Sequence, residues 1–398
     1  MKIDLAAIRT PPVAALPVEI VERKGRGHPD TICDALVEQL SLALSRAYFE
    51  RFGRVLHHNV DKALLVGGTS RPAFGGGHVE QPIEIFIAGR AARALAGEGV
   101  PVDELAEAGS RAWLARNLRW LDAEHHVRIH PLIRPGSVDL VELFGRATEE
   151  PALANDSSIG VGYAPLSRLE RVVWAVETRL NAERTKERHP EIGEDVKVLG
   201  VRRAEAITLT VATAFVDRFV ANATDYLTRK DAVTAIVRDA AREVAADDVT
   251  VAVNTADDPA AGRLYLTVTG TSAEAGDDGQ AGRGNRWNGL ITPYRPMTLE
   301  SAPGKNPVSH VGKLYQIGAQ RVAEALVAEV GEVEEAECWL ASRIGRPITE
   351  PDVVDVKLRL AGGADPARFA TVVEEIVARE VEALTGAWRD AVGPELAR

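Results

Sequence analysis

The run Gly270-Thr271-Ser272-Ala273-Glu274-Ala275-Gly276-Asp277-Asp278-Gly279-Gln280-Ala281-Gly282-Arg283-Gly284-Asn285-Arg286 packs five glycines, three acids and two arginines into seventeen residues. It follows the strand-like run 264–269 and separates it from the next helical pattern at 312–329. Glycine lets backbone N–H groups approach an anion closely, and arginine supplies forked donors for phosphate oxygens. The acids would repel that anion unless a cation such as Mg²⁺ stood between them. Such a loop fits a metal–polyphosphate site, or, taken alone, a solvated surface loop.

Two other stretches share its character. Lys24-Gly25-Arg26-Gly27-His28-Pro29-Asp30 leads straight into the helical pattern of residues 31–52, in which Ile32, Leu36 and Leu40 recur along one buried face. Its glycines and His28 stand where free N–H groups and the helix dipole favour an anion. Asp30, Asp34 and Glu38 share another face four residues apart: Asp30 is a candidate metal ligand, and Asp34 and Glu38 are expected to form a solvated stripe. Gly304-Lys305-Asn306-Pro307-Val308-Ser309-His310-Val311-Gly312-Lys313 again precedes an amphipathic helix, here with cations leading.

Taken together these segments resemble S-adenosylmethionine synthetase of the archaeal type. The resemblance rests on GRGHPD at 25–30, HHNVDKALLVGG at 57–68, FGGG at 74–77, GSVDL at 136–140, NDSSIGVGYAPL at 155–166 and GEDVKVLG at 193–200. NTADD at 254–258, TGTSAEAGDDGQAGRGNRWNGLITP at 269–293 and GKNPVSHVGK at 304–313 extend it over nearly the whole chain. It implies transfer of the adenosyl group of ATP to the sulfur of L-methionine, followed by hydrolysis of the tripolyphosphate to pyrophosphate and phosphate. It assigns His28, Lys197, Arg283 and Lys305 to catalysis. It assigns Gly136, Ser137, Asp139, Asp195, Arg286 and Lys313, beside those four, to ATP and its triphosphate. Asp156 and Asp277 go to methionine, and Asp30 and Asp278 to metal, although Asp277 and Asp278 could exchange roles. Mg²⁺ and K⁺ are the implied cofactors. The implied assembly is a homodimer, or a dimer of dimers, with active sites at the subunit interface: His28 and Lys305 from one subunit, Lys197 and Arg283 from the other. Arg26, Trp287 and Ser309 depart from the family pattern, which leaves room for a methionine analogue as substrate or for a weakly catalytic nucleotide-binding homologue.

The remaining sequence fits this picture. A chain of 398 residues suggests two or three α/β units. The divisions expected are 1–145, 146–270 and 271–398, with interlocking segments. Strand-like pairs followed by a helix recur at 55–66, 83–88 and 103–118, at 196–201, 206–216 and 229–246, and at 335–342, 352–359 and 366–384. Neighbouring strands without intervening helices predict mixed or antiparallel sheets with helices on one face, an α/β fold of the α+β type, and the resemblance implies that these form three pseudo-symmetric domains whose segments interlock. A formal net charge of −11 argues against nucleic acid or anionic membrane as partner. No apolar run approaches the ~20 residues of a membrane span, and no signal peptide is apparent, so a soluble cytoplasmic protein is expected. The phosphate-loop fingerprint G-x-x-x-x-G-K-[ST] is absent, and Pro165 spoils the nearest dinucleotide fingerprint at 160–165. Cys33 and Cys338 are expected to be packing residues. His57-His58 and His125-His126, as adjacent strand residues, would point to opposite faces and are expected to be structural.

Overall fold

The computed structural model describes residues 2–136, 151–245 and 249–392. The principal strands are β1 (Asp4–Ala7), β2 (Val18–Lys24), β3 (His58–Val66), β4 (Ile83–Ala91), β5 (Val127–Arg134), β6 (Ile159–Ala164) and β7 (Ile192–Arg203). They continue with β8 (Ala206–Val216), β9 (Val249–Val253), β10 (Leu266–Thr267), β11 (Gly279–Gln280), β12 (Val333–Ala341) and β13 (Val353–Leu360). The main helices are α1 (Pro29–Phe52), α2 (Val102–Asn117), α3 (Arg168–Asn181), α4 (Ala223–Ala245), α5 (Val311–Glu329) and α6 (Ala370–Glu382).

Three sheets follow one plan. Their orders are β5-β4-β3-β11, β9-β8-β7-β2 and β1-β13-β12-β6, with β10 added beside β8. Each is centred on an antiparallel hairpin: β3–β4, β7–β8 or β12–β13. One edge strand runs parallel to the second hairpin strand, and the other runs antiparallel to the first. Each hairpin's inward residues alternate as a half-buried strand requires. Ile83, Ile85 and Ile87 face a core closed by α1 and α2. Val196 and Val198 face one closed by α3 and α4, and Val354, Val356 and Leu358 face one closed by α5 and α6. The mixed sheets with helices on one face are those expected from the order of the elements.

The sheets are not built from contiguous segments. The strand just ahead of each first helix leaves its own group and joins a neighbour: β2, before α1, pairs with β7. β6, before α3, pairs with β12, and β11, which precedes α5, pairs with β3. This three-way exchange draws the glycine-rich loops at the ends of β2 and β11 to the same place.

Candidate active site

Two glycines seat the turn Gly25–His28 on the start of β7. A Cβ on Gly25 would lie 2.6 Å from the Val196 carbonyl oxygen, and one on Gly27 would lie 2.5 Å from the Asp195 nitrogen. Close approach lets Gly25 N–H donate to Val196 O at 2.6 Å and Gly27 N–H donate to Glu194 O at 3.0 Å. His28 then caps α1, its Nδ1 accepting from the Asp30 N–H at 3.2 Å, with Pro29 at the first helical position. Burial lowers the His28 pKa, against the pull of Asp195 and Asp30. A neutral ring whose Nδ1 accepts carries its proton on Nε2, which makes that atom a donor.

The loop after β10 folds back on the same point. Thr271 Oγ1 donates to Gly27 O at 2.6 Å, and the Asp195 N–H donates to Gly270 O at 3.0 Å. Asp195 accepts from Ser272 N–H at 3.0 Å and from Ser272 Oγ at 2.6 Å. Burial raises the Asp195 pKa against the opposing pull of His28. Asp278 accepts from the Gly67 N–H at 2.9 Å, fixing the 276–278 bend against the end of β3.

A cavity of about 670 Å³ opens between these segments. Its walls include His28, Asp30, Asp195, Lys197, Asp277, Asp278 and Arg283, all assigned from sequence, and Lys24, Tyr265 and Ser272, which were not. Lys24 had a legible signal. It alternates with Glu22 along β2, and the register places it directly opposite Lys197. Like charges facing one another across a sheet are unfavourable unless something negative joins them. Glu22 lies 3.2 Å from Lys197 Nζ and 3.8 Å from Lys24 Nζ, and Asp30 takes Lys24 Nζ at 2.8 Å. Burial would raise the Asp30 carboxyl, but Lys24 and the Gln280 N–H outweigh it and the pKa is lowered. Arg283 is exposed at the cavity, and its guanidinium has no partner among the described residues.

Several assigned residues lie elsewhere. Lys305 is buried against Ser301 O, Glu300 and Asp61, and Lys313 donates to both Glu38 oxygens at 2.8 and 2.7 Å. Arg286 turns back onto the carbonyl oxygens of Gly282 and Gly284 at 2.5 and 2.9 Å and braces its own loop. Asp156 accepts from the Ser157 N–H at 2.8 Å in the turn before β6. Gly136 lies beyond the end of β5, off the cavity, while Ser137 and Asp139 fall outside the described residues. His28, Lys197 and Arg283 share one cavity of one chain, so the expected division that put His28 and Lys197 on different subunits is corrected. The expected solvated stripe is corrected too. Asp34 accepts from the Gly282 N–H at 2.7 Å, and Glu38 holds Lys313 and the Gly304 N–H, the latter at 2.9 Å. His125 and His126 lie in a turn ahead of β5 rather than in a strand. The two cysteines are buried and unpaired in the cores, as expected.

Among the described residues no group of three or more His, Cys, Asp or Glu side chains forms a metal cage. The cavity nevertheless fits Mg²⁺, because it offers the carboxylates of Asp30, Asp195, Asp277 and Asp278. Mg²⁺ takes one or two carboxylates alongside substrate phosphate oxygens, without a full set of protein ligands. No helix among the described residues is long and apolar enough to cross a membrane.

The profile of the family "S-adenosylmethionine synthetase (AdoMet synthetase)" matches residues 1–394. The chain is 53% identical over 388 residues to the probable S-adenosylmethionine synthase of Aquifex aeolicus, covering 97% of this chain and 96% of that one. It is 51% identical over 387 residues to the S-adenosylmethionine synthase of Aeropyrum pernix, covering 96% and 93% respectively. Among solved structures, an unusual S-adenosylmethionine synthetase from Campylobacter jejuni shares the fold with a TM-score of 0.60 at 15% identity, covering 92% of this chain and 88% of that one.

Proposed function

The chain belongs to the S-adenosylmethionine synthetase family and is a methionine adenosyltransferase, and on that premise we propose that its cavity holds the triphosphate of ATP during sulfur attack on C5′. The thioether sulfur of methionine forms a bond to C5′ as the C5′–O bond breaks, and the whole triphosphate departs. Water then cleaves the tripolyphosphate into pyrophosphate and phosphate. Sulfur is already nucleophilic, so the work left to the protein is alignment and stabilisation of charge on the departing oxygens. His28 donates from Nε2 to the oxygen leaving C5′. Lys24, Lys197 and Arg283 face the phosphates, and Asp277 receives the methionine ammonium group. The observation that carries this reading is the in-register pair Lys24–Lys197 in one cavity with His28, whose Nδ1 accepts from the Asp30 N–H.

The family uses Mg²⁺; in this chain Asp30 and Asp278 would hold it, and it would supply neutralisation of phosphate charge. K⁺ is assigned no ligands. Mass spectrometry after incubation with ATP and methionine tests the chemistry: one S-adenosylmethionine, one pyrophosphate and one phosphate are expected per turnover. Release of ADP would overturn it.

The proposal includes a homodimer with the cavity at its interface. Its support is that Leu64 lines the cavity and is 46% exposed, on the same open sheet face as Val66 and Leu132. We assign Asp156 to the half of each site contributed by the second copy; Lys305 and Lys313, buried on Glu300, Asp61 and Glu38 of their own chain, are given no phosphate contact. A mixed dimer of His28→Ala and Asp156→Ala chains would then contain one intact site and keep about half the activity, assuming independent sites. A mixed dimer of His28→Ala and Lys197→Ala chains would contain none. The reverse pattern would refute this assembly.

A further inference from the structure

We propose that Asp34 is a positioning residue for the reaction: its carboxylate holds the turn 280–283 and so aims Arg283 into the cavity. The turn is closed by the Arg283 N–H donating to Gln280 O at 3.3 Å, with Gly282 at φ +86°. That conformation is open to glycine and strained for other residues, and it is the one a type II turn requires at its third position. A turn of this kind satisfies only its last N–H internally. Here each of the others has a partner. Gln280 N–H donates to Asp30 at 2.9 Å, Ala281 N–H to Ala63 O at 3.0 Å, and Gly282 N–H to Asp34 at 2.7 Å. Lys24 Nζ donates to the Arg283 carbonyl oxygen at 3.0 Å.

Asp34 also lies beneath the next residue but one. A Cβ on Gly284 would stand 2.3 Å from Asp34 Oδ2, so the loop rests on the carboxylate through a glycine. Arg286 closes the arrangement from outside, its guanidinium held by the carbonyls on either side of Arg283. Asp30, Asp34 and Glu38 stand one helical turn apart, and they take the amides of Gln280, Gly282 and Gly304 in chain order. One face of α1 therefore serves as the template on which the loop is laid. Asp34 itself does not line the cavity and acts through Arg283.

The inference rests on reading Arg283 as a triphosphate contact, and the test separates the two. Full-length Asp34→Ala, Asp34→Asn, Gly284→Ala and Arg283→Ala proteins are compared for kcat, KM for ATP, tripolyphosphate affinity and amide hydrogen exchange at 280–284. Asp34→Asn keeps an acceptor oxygen and should stay within about threefold of wild type, because a neutral acceptor still holds the amide. Asp34→Ala should lower kcat by about 10–100-fold, as misplacement of a substrate-contacting group does. Its Gly282 amide should exchange about tenfold faster, the result of losing a hydrogen bond worth about 1–1.5 kcal/mol. Gly284→Ala should reproduce that pattern without touching α1, and it carries the test where Asp34→Ala does not fold. The proposal is overturned if either folded variant keeps wild-type kcat, or if the Gly282 amide stays protected. It is also overturned if Asp34→Asn fails as badly as Asp34→Ala. An Arg283→Ala protein with unchanged tripolyphosphate affinity would refute the reading of Arg283, whatever the loop does.

Discussion

Two helix starts in this molecule are built alike and surrounded differently. His28 caps α1 and His310 caps α5, each accepting through Nδ1 from the N–H two residues on, each at 3.2 Å. Both follow a stretch of glycine and cationic residues. His28 opens on a cavity with Asp195, Asp30 and Asp277 near it. His310 is buried, and its pKa is driven well down by burial first and then by Lys305, Lys313 and Lys62. Around α5 the lysines are already answered by Glu38, Glu300 and Asp61 within the same chain. The cap is a local device written in a few residues. What it presents to a substrate depends on the strands and loops packed over it.

The largest effect should come from breaking the cavity side of this comparison. His28→Ala should reduce S-adenosylmethionine formation by about 10²–10³-fold, the usual loss when one donor to developing charge is removed. Hydrolysis of added tripolyphosphate should fall far less, since that step involves no C5′ oxygen. On the other side, His310→Asn keeps a capping acceptor and should lower the thermal midpoint more than kcat. Equal loss of both activities in folded His28→Ala would erase the distinction between the two histidines.

A smaller effect is expected from pH. Burial pushes the Asp34 carboxyl up to about 6 in the folded chain, against an ordinary value near 3.8. A carboxyl raised on folding stays protonated longer in the native state, so stability falls as pH rises from about 4 to about 6. The fall should be on the order of 2 kcal/mol in denaturant titrations, discounted for the residual exposure of the group. Asp34→Asn should flatten that segment of the stability profile. Because α5 carries the uncharged Gln316 six residues past its capping histidine, where α1 carries Asp34, no equivalent slope should map to that position. A profile that is the same in wild type and Asp34→Asn would contradict this.

Next comes Lys24→Met, which keeps the stem but removes the charge opposite Lys197. Tripolyphosphate affinity measured by calorimetry should drop about tenfold, as expected for one charge-assisted contact. No change would mean that Lys24 only braces the loop. The smallest effect belongs to the thiols, Cys33 in α1 and Cys338 in the sheet beneath α5. Replacing both by Ala should cost about 1–2 kcal/mol of packing and spare kcat. Loss of activity in the folded double variant would reveal a thiol role.

Much of this was legible in the chain itself. The repeated strand–strand–helix order predicts three helix-covered mixed sheets. The Gly-Arg-Gly-His-Pro-Asp run predicts a helix start, because proline and the apolar spacing behind it act within a few residues; the His28 cap itself came from the structure. Asp195, Lys197, Asp277 and Arg283 were placed by resemblance and do gather around one cavity. What escaped was non-local. Glu38 and Lys313 are 275 positions apart, and no periodicity in α1 announces that they meet. Asp34 looks solvated by spacing and is covered only because the 282–284 loop arrives from another part of the chain. Lys24 gains its meaning from its register with Lys197, which depends on β2 leaving its own group for another sheet.

That exchange of edge strands closes a ring of three links, each sheet holding an edge strand that comes from a neighbouring group, and the third sheet holding β1 from the N-terminus as well. No link can be opened without stripping an edge from the next, so the chain should melt as a single cooperative body rather than unit by unit. The same ring requires contacts between distant segments before any sheet is complete, which favours slow folding over stepwise assembly. A fragment cut to any one sheet would carry an unpaired edge where its borrowed strand belongs, an invitation to pair with another copy.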